Sequence, residues 1–355
     1  MTHAHLARTA DPRRAPRVRA AVAGLLAAAL ALAGCAELRL ETPPPATPSP
    51  DAVEEVRDRT ARDATELAAL ATEAALTAPE AVATVLGRVA EVCLAHAEAL
   101  GGVYEPFPGG TAEATGPAAP DAGARSTVAP TPTPAPADAA TVRTALAAAA
   151  TAARSDADTV LDGDLARLLA SVRVGRALLA EALDAAVVAA GGAPDPAAAP
   201  VPTAWTVPDA VPAGIDAADV VALVQSEDAA GLVWEVVAAR SADAGRAEAA
   251  AHAVLHRERA DAWAVAAAIA RGPQDPRRAA YDLPDALTVD GATVEAMLAV
   301  ATEVEVSLGV TYTSLVARAD AGARGPFLDG MLDQLRRGLA AGAPVPAFPG
   351  LPERA

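Results

Sequence analysis

From Val53 onward the apolar residues of this chain recur every three or four positions rather than every two, the spacing of an amphipathic helix and not of a strand. Between residues 80 and 100, Val82, Val85, Leu86, Val89, Val92, Cys93, His96 and Leu100 fall on one continuous stripe. A stripe that wide is buried by several neighbours at once, which calls for a bundle. The expected partners are Val53 to Leu76, Ala139 to about Arg154, and Leu165 to Ala190. The last of these turns Leu165, Leu168, Leu169, Val172, Leu179, Leu183 and Val187 inward. Further along, Asp216 can cap a first long helix and Gly272-Pro273 can close a second. Asp290 and Thr293 can start a third, and Gly325-Pro326 a short fourth ending at Gly342. Leu223, Trp234, Val254, Leu255, Trp263, Leu298 and Leu315 are the expected core of this second region. The pattern thus predicts an all-α protein made of two helical bundles.

Three stretches interrupt the periodicity, at 41–50, 106–138 and 191–214, all rich in Pro and Ala. Such segments bury too little apolar surface to offset the entropy of ordering, so they read as a tether, a disordered loop and a linker. The resulting division is 51–190 for an N-terminal bundle containing the 106–138 loop, 191–214 for the linker, 215–342 for a C-terminal bundle, and 343–355 for a tail.

The first 34 residues are of another kind. Arg8, Arg13, Arg14, Arg17 and Arg19 precede a charge-free apolar run from Ala20 to Leu32, the layout of a secretory signal, and the run is too short to span a bilayer. It ends in Leu32-Ala33-Gly34-Cys35, which resembles the lipobox of bacterial lipoproteins. The resemblance implies cleavage before Cys35, lipid on its thiol, and residues 35–50 as a lipidated Pro-rich tether. The protein is then expected on the extracytoplasmic face of the cell membrane, held there by the lipid on Cys35.

Charge narrows the partners. The chain carries a net charge of −17, and all 28 of its basic residues are Arg. Residues 1–34 contain five Arg and one Asp, so the remainder stands at −21. A body this acidic repels phosphate backbones, which excludes nucleic acid as a partner. Only Cys35 and Cys93 are present. With Cys35 lipidated, no internal disulfide forms, and Cys93 on its apolar stripe is expected to be a small buried hydrophobe.

The C-terminal helices carry a second resemblance. Ser226-Glu227-Asp228-Ala229-Ala230-Gly231-Leu232-Val233-Trp234, the segment Ala251 to Asp261 with His252 and His256, and the connector Arg277-Arg278-Ala279-Ala280-Tyr281-Asp282-Leu283-Pro284 resemble the uncharacterised ferritin-like domain of actinobacterial envelope proteins (domain of unknown function 4439). The similarity covers about Asp216 to Gly342. It implies an antiparallel four-helix bundle, with the long connector from Gly272 to Thr288 as the crossover between its halves, and no particular reaction.

A ferritin-type di-iron site needs a carboxylate from each of two helices and Glu-x-x-His from each of the other two. Here Ala249 and Ala253 stand three residues before His252 and His256, and the fourth helix has Asp329 and Asp333 but no histidine. A complete pair of metals is excluded. What survives is a single divalent ion held by Glu227, His256 and Glu303, with Glu305 as another third-helix carboxylate, or else a buried hydrogen-bonded cluster without metal. The aspartates at 156, 158, 162 and 164 lack the spacing of a calcium loop and read as a solvated turn with Asp164 as the cap of the following helix. His96 reads as a core histidine. No nucleophile elbow, phosphate loop or zinc spacing occurs, so no catalytic residue and no cofactor is expected. Two classes remain: a non-catalytic envelope lipoprotein that binds a protein or a small ligand, and a metal-binding or redox ferritin-like protein.

Overall fold

The computed structural model describes residues 49–105, 137–193, 205–339 and 344–354. Residues 1–48, which hold the signal sequence, the lipobox and Cys35, lie outside them, as do 106–136 and 194–204. Pro50 to Ala355 form one compact unit.

Every regular element among the described residues is helical. In chain order they are α1 (Ala52–Ala75), α2 (Glu80–Ala99), α3 (Ala139–Thr159), α4 (Gly163–Ala189), α5 (Ala217–Arg240), α6 (Asp243–Ala266), the single turn α7 (Asp285–Thr288), α8 (Val294–Arg318), α9 (Gly325–Gly338) and a closing 3-10 turn at Pro352–Arg354. None of these helices is long and apolar enough to cross a membrane. The long ones pair as four hairpins, α1 with α2, α3 with α4, α5 with α6 and α8 with α9. The first two hairpins pack into one bundle and the last two into another, with the long Ala267–Thr293 connector, broken only by α7, between the halves of the second.

The starts of these helices are written in the sequence. Asp51, Asp138, Asp162 and Asp216 each accept the amide three residues on, at 2.8 Å, and Thr293 accepts from Ala296 at 3.2 Å. Each supplies an acceptor to an otherwise orphaned first-turn donor, a contribution of about 1 kcal/mol. The cap of α4 is Asp162, not Asp164, which sits inside the first turn. The aspartates expected in a solvated turn also do more: Asp156 takes Arg59 at 2.5 Å, and Asp158 takes the Arg324 amide at 2.9 Å. The end of α6 comes at Ala266, earlier than Gly272-Pro273, with Ala268 and Arg271 at positive φ in the turn that follows.

The cores are thin, as so few aromatics require. The inward face of α1 is Ala61, Ala64, Leu67, Ala68, Ala71 and Ala74, and α2 answers with Val82, Leu86, Val89, Val92 and Cys93. In the second bundle Leu223, Trp234, Trp263 and Leu315 are buried as expected, but Val254 and Leu298 are 54% and 41% exposed. The buried face of α6 runs Ala249, Ala253, His256, Ala260, Trp263, and Val254 stands one residue, or about 100°, out of phase with it.

One hydrophobic core spans both bundles and runs without a break from Ala61 and Leu86 through Leu169 and Leu183 to Trp263, Phe327 and Leu335, while a second, smaller cluster around Val233, Trp234, Val237 and Met297 lies within the C-terminal bundle. α4 packs along α8, and at their ends a Cβ added to Gly163 would stand 2.3 Å from the Ala317 carbonyl oxygen, so only glycine lets these backbones meet. The described part of the segment expected as a linker is docked, and so is the tail. In the 191–214 linker, Trp205, Val207 and Val211 pack against the common core. In the tail, Val345 and Leu351 are buried, and the carbonyls of Val345, Ala347 and Pro349 accept from Arg88, His96 and Ser171 of the N-terminal bundle.

Candidate functional site

At the centre of the C-terminal bundle four helices bring polar side chains into an apolar interior. α5 contributes Glu227 and Trp234, α6 contributes His252 and His256, α8 contributes Glu305 and Tyr312, and α9 contributes Gln334. The side chains of Glu227, His256 and Glu305 are wholly buried. Burying a charge is tolerable only when it is paired and hydrogen-bonded, and this group meets that demand almost completely.

His256 is the hub. Its Nδ1 lies 2.6 Å from Glu227 Oε2 and its Nε2 3.0 Å from Glu305 Oε1. Burial by itself lowers the affinity of this imidazole for a proton. The two carboxylates reverse that and push its pKa up to about 9, so both ring nitrogens donate at neutral pH. Glu227 Oε1 also accepts from Tyr312 Oη at 2.6 Å and from Gln334 Nε2 at 3.1 Å, and Tyr312 Oη in turn accepts from Trp263 Nε1 at 3.2 Å. Glu305 Oε1 accepts from Trp234 Nε1 at 2.9 Å. Burial raises the pKa of Glu305, but His252, His256 and Trp234 outweigh it and bring the carboxyl down to about 2. Two atoms of the cluster have no partner, Glu305 Oε2 and Gln334 Oε1.

His252 stands at the edge of the group, one helical turn before His256. Its ring stacks on Trp234 with centroids 4.3 Å apart, and its Nδ1 is 3.6 Å from Glu305 Oε1. His252, His256 and Glu305 each place a ligand-type atom within 4.8 Å of the others, the one such trio among the described residues.

The structure therefore joins Glu227 to His256 and leaves Glu303 out. Glu303 is exposed on the far side of α8. The helical phase explains the difference. Met297, Ala301, Glu305, Leu308, Tyr312 and Leu315 recur at three and four and are all buried, whereas Glu303 falls between those positions. That period was present in the sequence and would have selected Glu305. Nothing comparable announced Gln334, whose role depends on how closely α9 approaches. The approach is close because Gly330 faces Tyr312, where an added Cβ would stand 2.7 Å from Cε1 of the ring.

The connector between the halves is tied down by another buried carboxylate. Asp228, next to Glu227 but turned outward by about 100°, accepts from Arg257, from Tyr281 Oη at 2.6 Å and from the Arg278 amide at 3.1 Å. Arg277 reaches Asp261 at 2.6 Å and Asp275 at 2.7 Å. The Arg-x-x-x-Tyr-x-Leu-Pro run thus fastens the crossover to α5 and α6.

Fold and site together define an all-α protein whose C-terminal half is an antiparallel four-helix bundle of ferritin-like arrangement, with an ion-paired histidine at its centre. Residues 220–353 match the family described as Domain of unknown function (DUF4439), and a domain of that family is found there. The match takes in the docked tail as well as the bundle. No curated protein and no solved structure matches the chain.

Proposed function

We propose that this is a lipid-anchored protein of the extracytoplasmic face of the cell membrane, held by Cys35, and that its helical body is a non-catalytic binding module for an envelope protein or a small ligand. The observation that carries the non-catalytic part is the state of the bundle centre. A protonated His256 sits between Glu227 and Glu305, all three wholly buried, so the cation that balances the two carboxylates is supplied by the chain itself. The anchor rests on the basic, apolar and Leu32-Ala33-Gly34-Cys35 order of the first 35 residues.

Two measurements test this. Cys35→Ala should release the protein from membranes or leave it unprocessed; normal cleavage with retention on membranes at high salt overturns the anchor. Purified protein should contain no stoichiometric metal, and a chelator should leave its melting temperature unchanged.

A second reading has its own observation. Glu305 Oε2 is buried without a partner, and Glu227 is placed to take the Nδ1 proton of His256, the outer-shell contact that fixes a metal-binding imidazole. His252, His256 and Glu305 would then hold one divalent ion, with Glu227 orienting and not binding. A chelator-induced fall in melting temperature, restored by iron, manganese or zinc, decides for this reading.

A further inference from the structure

Between the two bundles, away from the buried histidine, α3, α4 and α9 wall a cleft of about 520 Å³, within the size of small-ligand sites. Three arginines from these three helices line it: Arg154, Arg173 and Arg336. Their carboxylate partners do not balance them. Asp329 serves both Arg154, at 2.6 Å, and Arg173, at 2.9 Å, and Glu181 serves Arg336 at 2.7 Å. Behind them Asp333 serves both Arg259 and Arg337. Five guanidiniums at and behind the cleft thus share three ion-paired carboxylates, in a chain of net charge −17. Burial, together with repulsion from Arg154 and Arg336 and against the attraction of Asp329, lowers the pKa of Arg173 to about 10.

The donors here are also unspent. Arg259 is 5% exposed, and its Nε and Nη1 have no partner. Its guanidinium lies 4.7 Å from the centre of the Trp205 ring, and the indole Nε1 of Trp205, which lines the cleft, is likewise buried without a partner. Buried donors of this kind are costly unless something accepts from them. Trp205, Pro326 and Leu332 give the same cleft an apolar wall.

We propose that this cleft binds a small organic anion, with a carboxylate or phosphate head on Arg154, Arg173 and Arg336 and a flat apolar body against Trp205. Arginine forks match both heads geometrically. The proposal rests on the reading of the protein as a binding module and names the ligand class. Its failure is separable from that of the anchor, which is tested at Cys35, and from that of the histidine cluster, which is tested with metal.

The test is calorimetric titration of the full chain in detergent with phenyl phosphate, benzoate and inorganic phosphate. At least one of the two aromatic anions should bind saturably and at least tenfold more tightly than inorganic phosphate. Phenyl phosphate and benzoate then distinguish the two heads. Arg336→Gln, at a half-exposed position, should weaken binding about tenfold, and Trp205→Leu should erase the preference for the aromatic body. Should Trp205→Leu fail to fold, the melting temperature of the unaltered chain carries the same question, since a bound anion raises it and inorganic phosphate does so less. Absence of saturable binding by either aromatic anion, or binding unchanged by Arg336→Gln, overturns the proposal.

Discussion

Each bundle buries one histidine completely, and their surroundings shift the two pKa values in opposite directions. His96, on α2, donates through Nε2 to a single carbonyl, that of Ala347 at 2.7 Å, with Arg176 nearby. Burial first, and then the repulsion of Arg176, lowers its pKa to about 3, so it is neutral. His256, equally buried, has two carboxylates and a pKa near 9. The same side chain at the same depth is an uncharged core residue in one bundle and a cation in the other. Depth sets the cost of a charge, and only the neighbours decide whether it is met. Cys93, one turn before His96, has its thiol pushed up to about 11 by burial, against the opposing attraction of the same Arg176.

This contrast predicts two limbs of pH dependence with opposite sign. The larger belongs to His96. Its folded pKa is depressed below the 6.5 of a free imidazole, so the unfolded chain binds the extra proton between pH 6.5 and pH 3. Stability should fall through that window as pH falls, by up to about 5 kcal/mol. Urea melts of His96→Phe against the unaltered chain measure it, and an acid limb of equal size in both would break the comparison.

His256→Ala is the next largest. It leaves Glu227 and Glu305 facing each other across an apolar core and should cost about 3–5 kcal/mol at pH 7, where His252→Ala, at the edge of the group, should cost far less. Equal losses from the two would show that His256 is not the hub.

The alkaline limb is smaller. The folded pKa of His256 is raised above 6.5, so its stabilisation is full below pH 6.5 and is lost as pH rises through about 9, a loss of about 3 kcal/mol. Thermal melts between pH 6 and pH 10 should show it, and the His256→Ala chain should not.

Two glycines sharpen the comparison from the backbone side. Gly163→Ala drives a methyl group into the Ala317 carbonyl where the bundles meet and should cost about 1–3 kcal/mol. Gly87→Ala, in the middle of α2 with nothing within 4 Å of its added Cβ, should stabilise by about 0.5–1 kcal/mol. If both substitutions were neutral, the close approach of α4 to α8 would not constrain the fold.

By itself the sequence determined what is local. Apolar spacing gave the helices, and Asp and Thr gave their starts, because a cap and its amide lie three residues apart in the chain. The resemblance carried by the Arg277-to-Pro284 connector led to the bundle it fastens. The same period held the information that Glu305, not Glu303, faces inward, since that depends only on phase along one helix.

What tertiary structure decided was everything set by distant partners. Val254 and Leu298 are as apolar as Leu223 and Leu315 yet lie outside, because burial requires a neighbour and not only a hydrophobic side chain. Trp205 and Val345 sit in segments whose composition reads as linker and tail, and they dock because the seam between the two bundles offers apolar surface that neither bundle covers alone. The charge on His256 depends on Glu227 and Glu305 from two other helices, and the cluster of arginines at and behind the cleft draws on four helices from both bundles. Electrostatic energy follows separation in space, and separation in space is what a one-dimensional pattern leaves open.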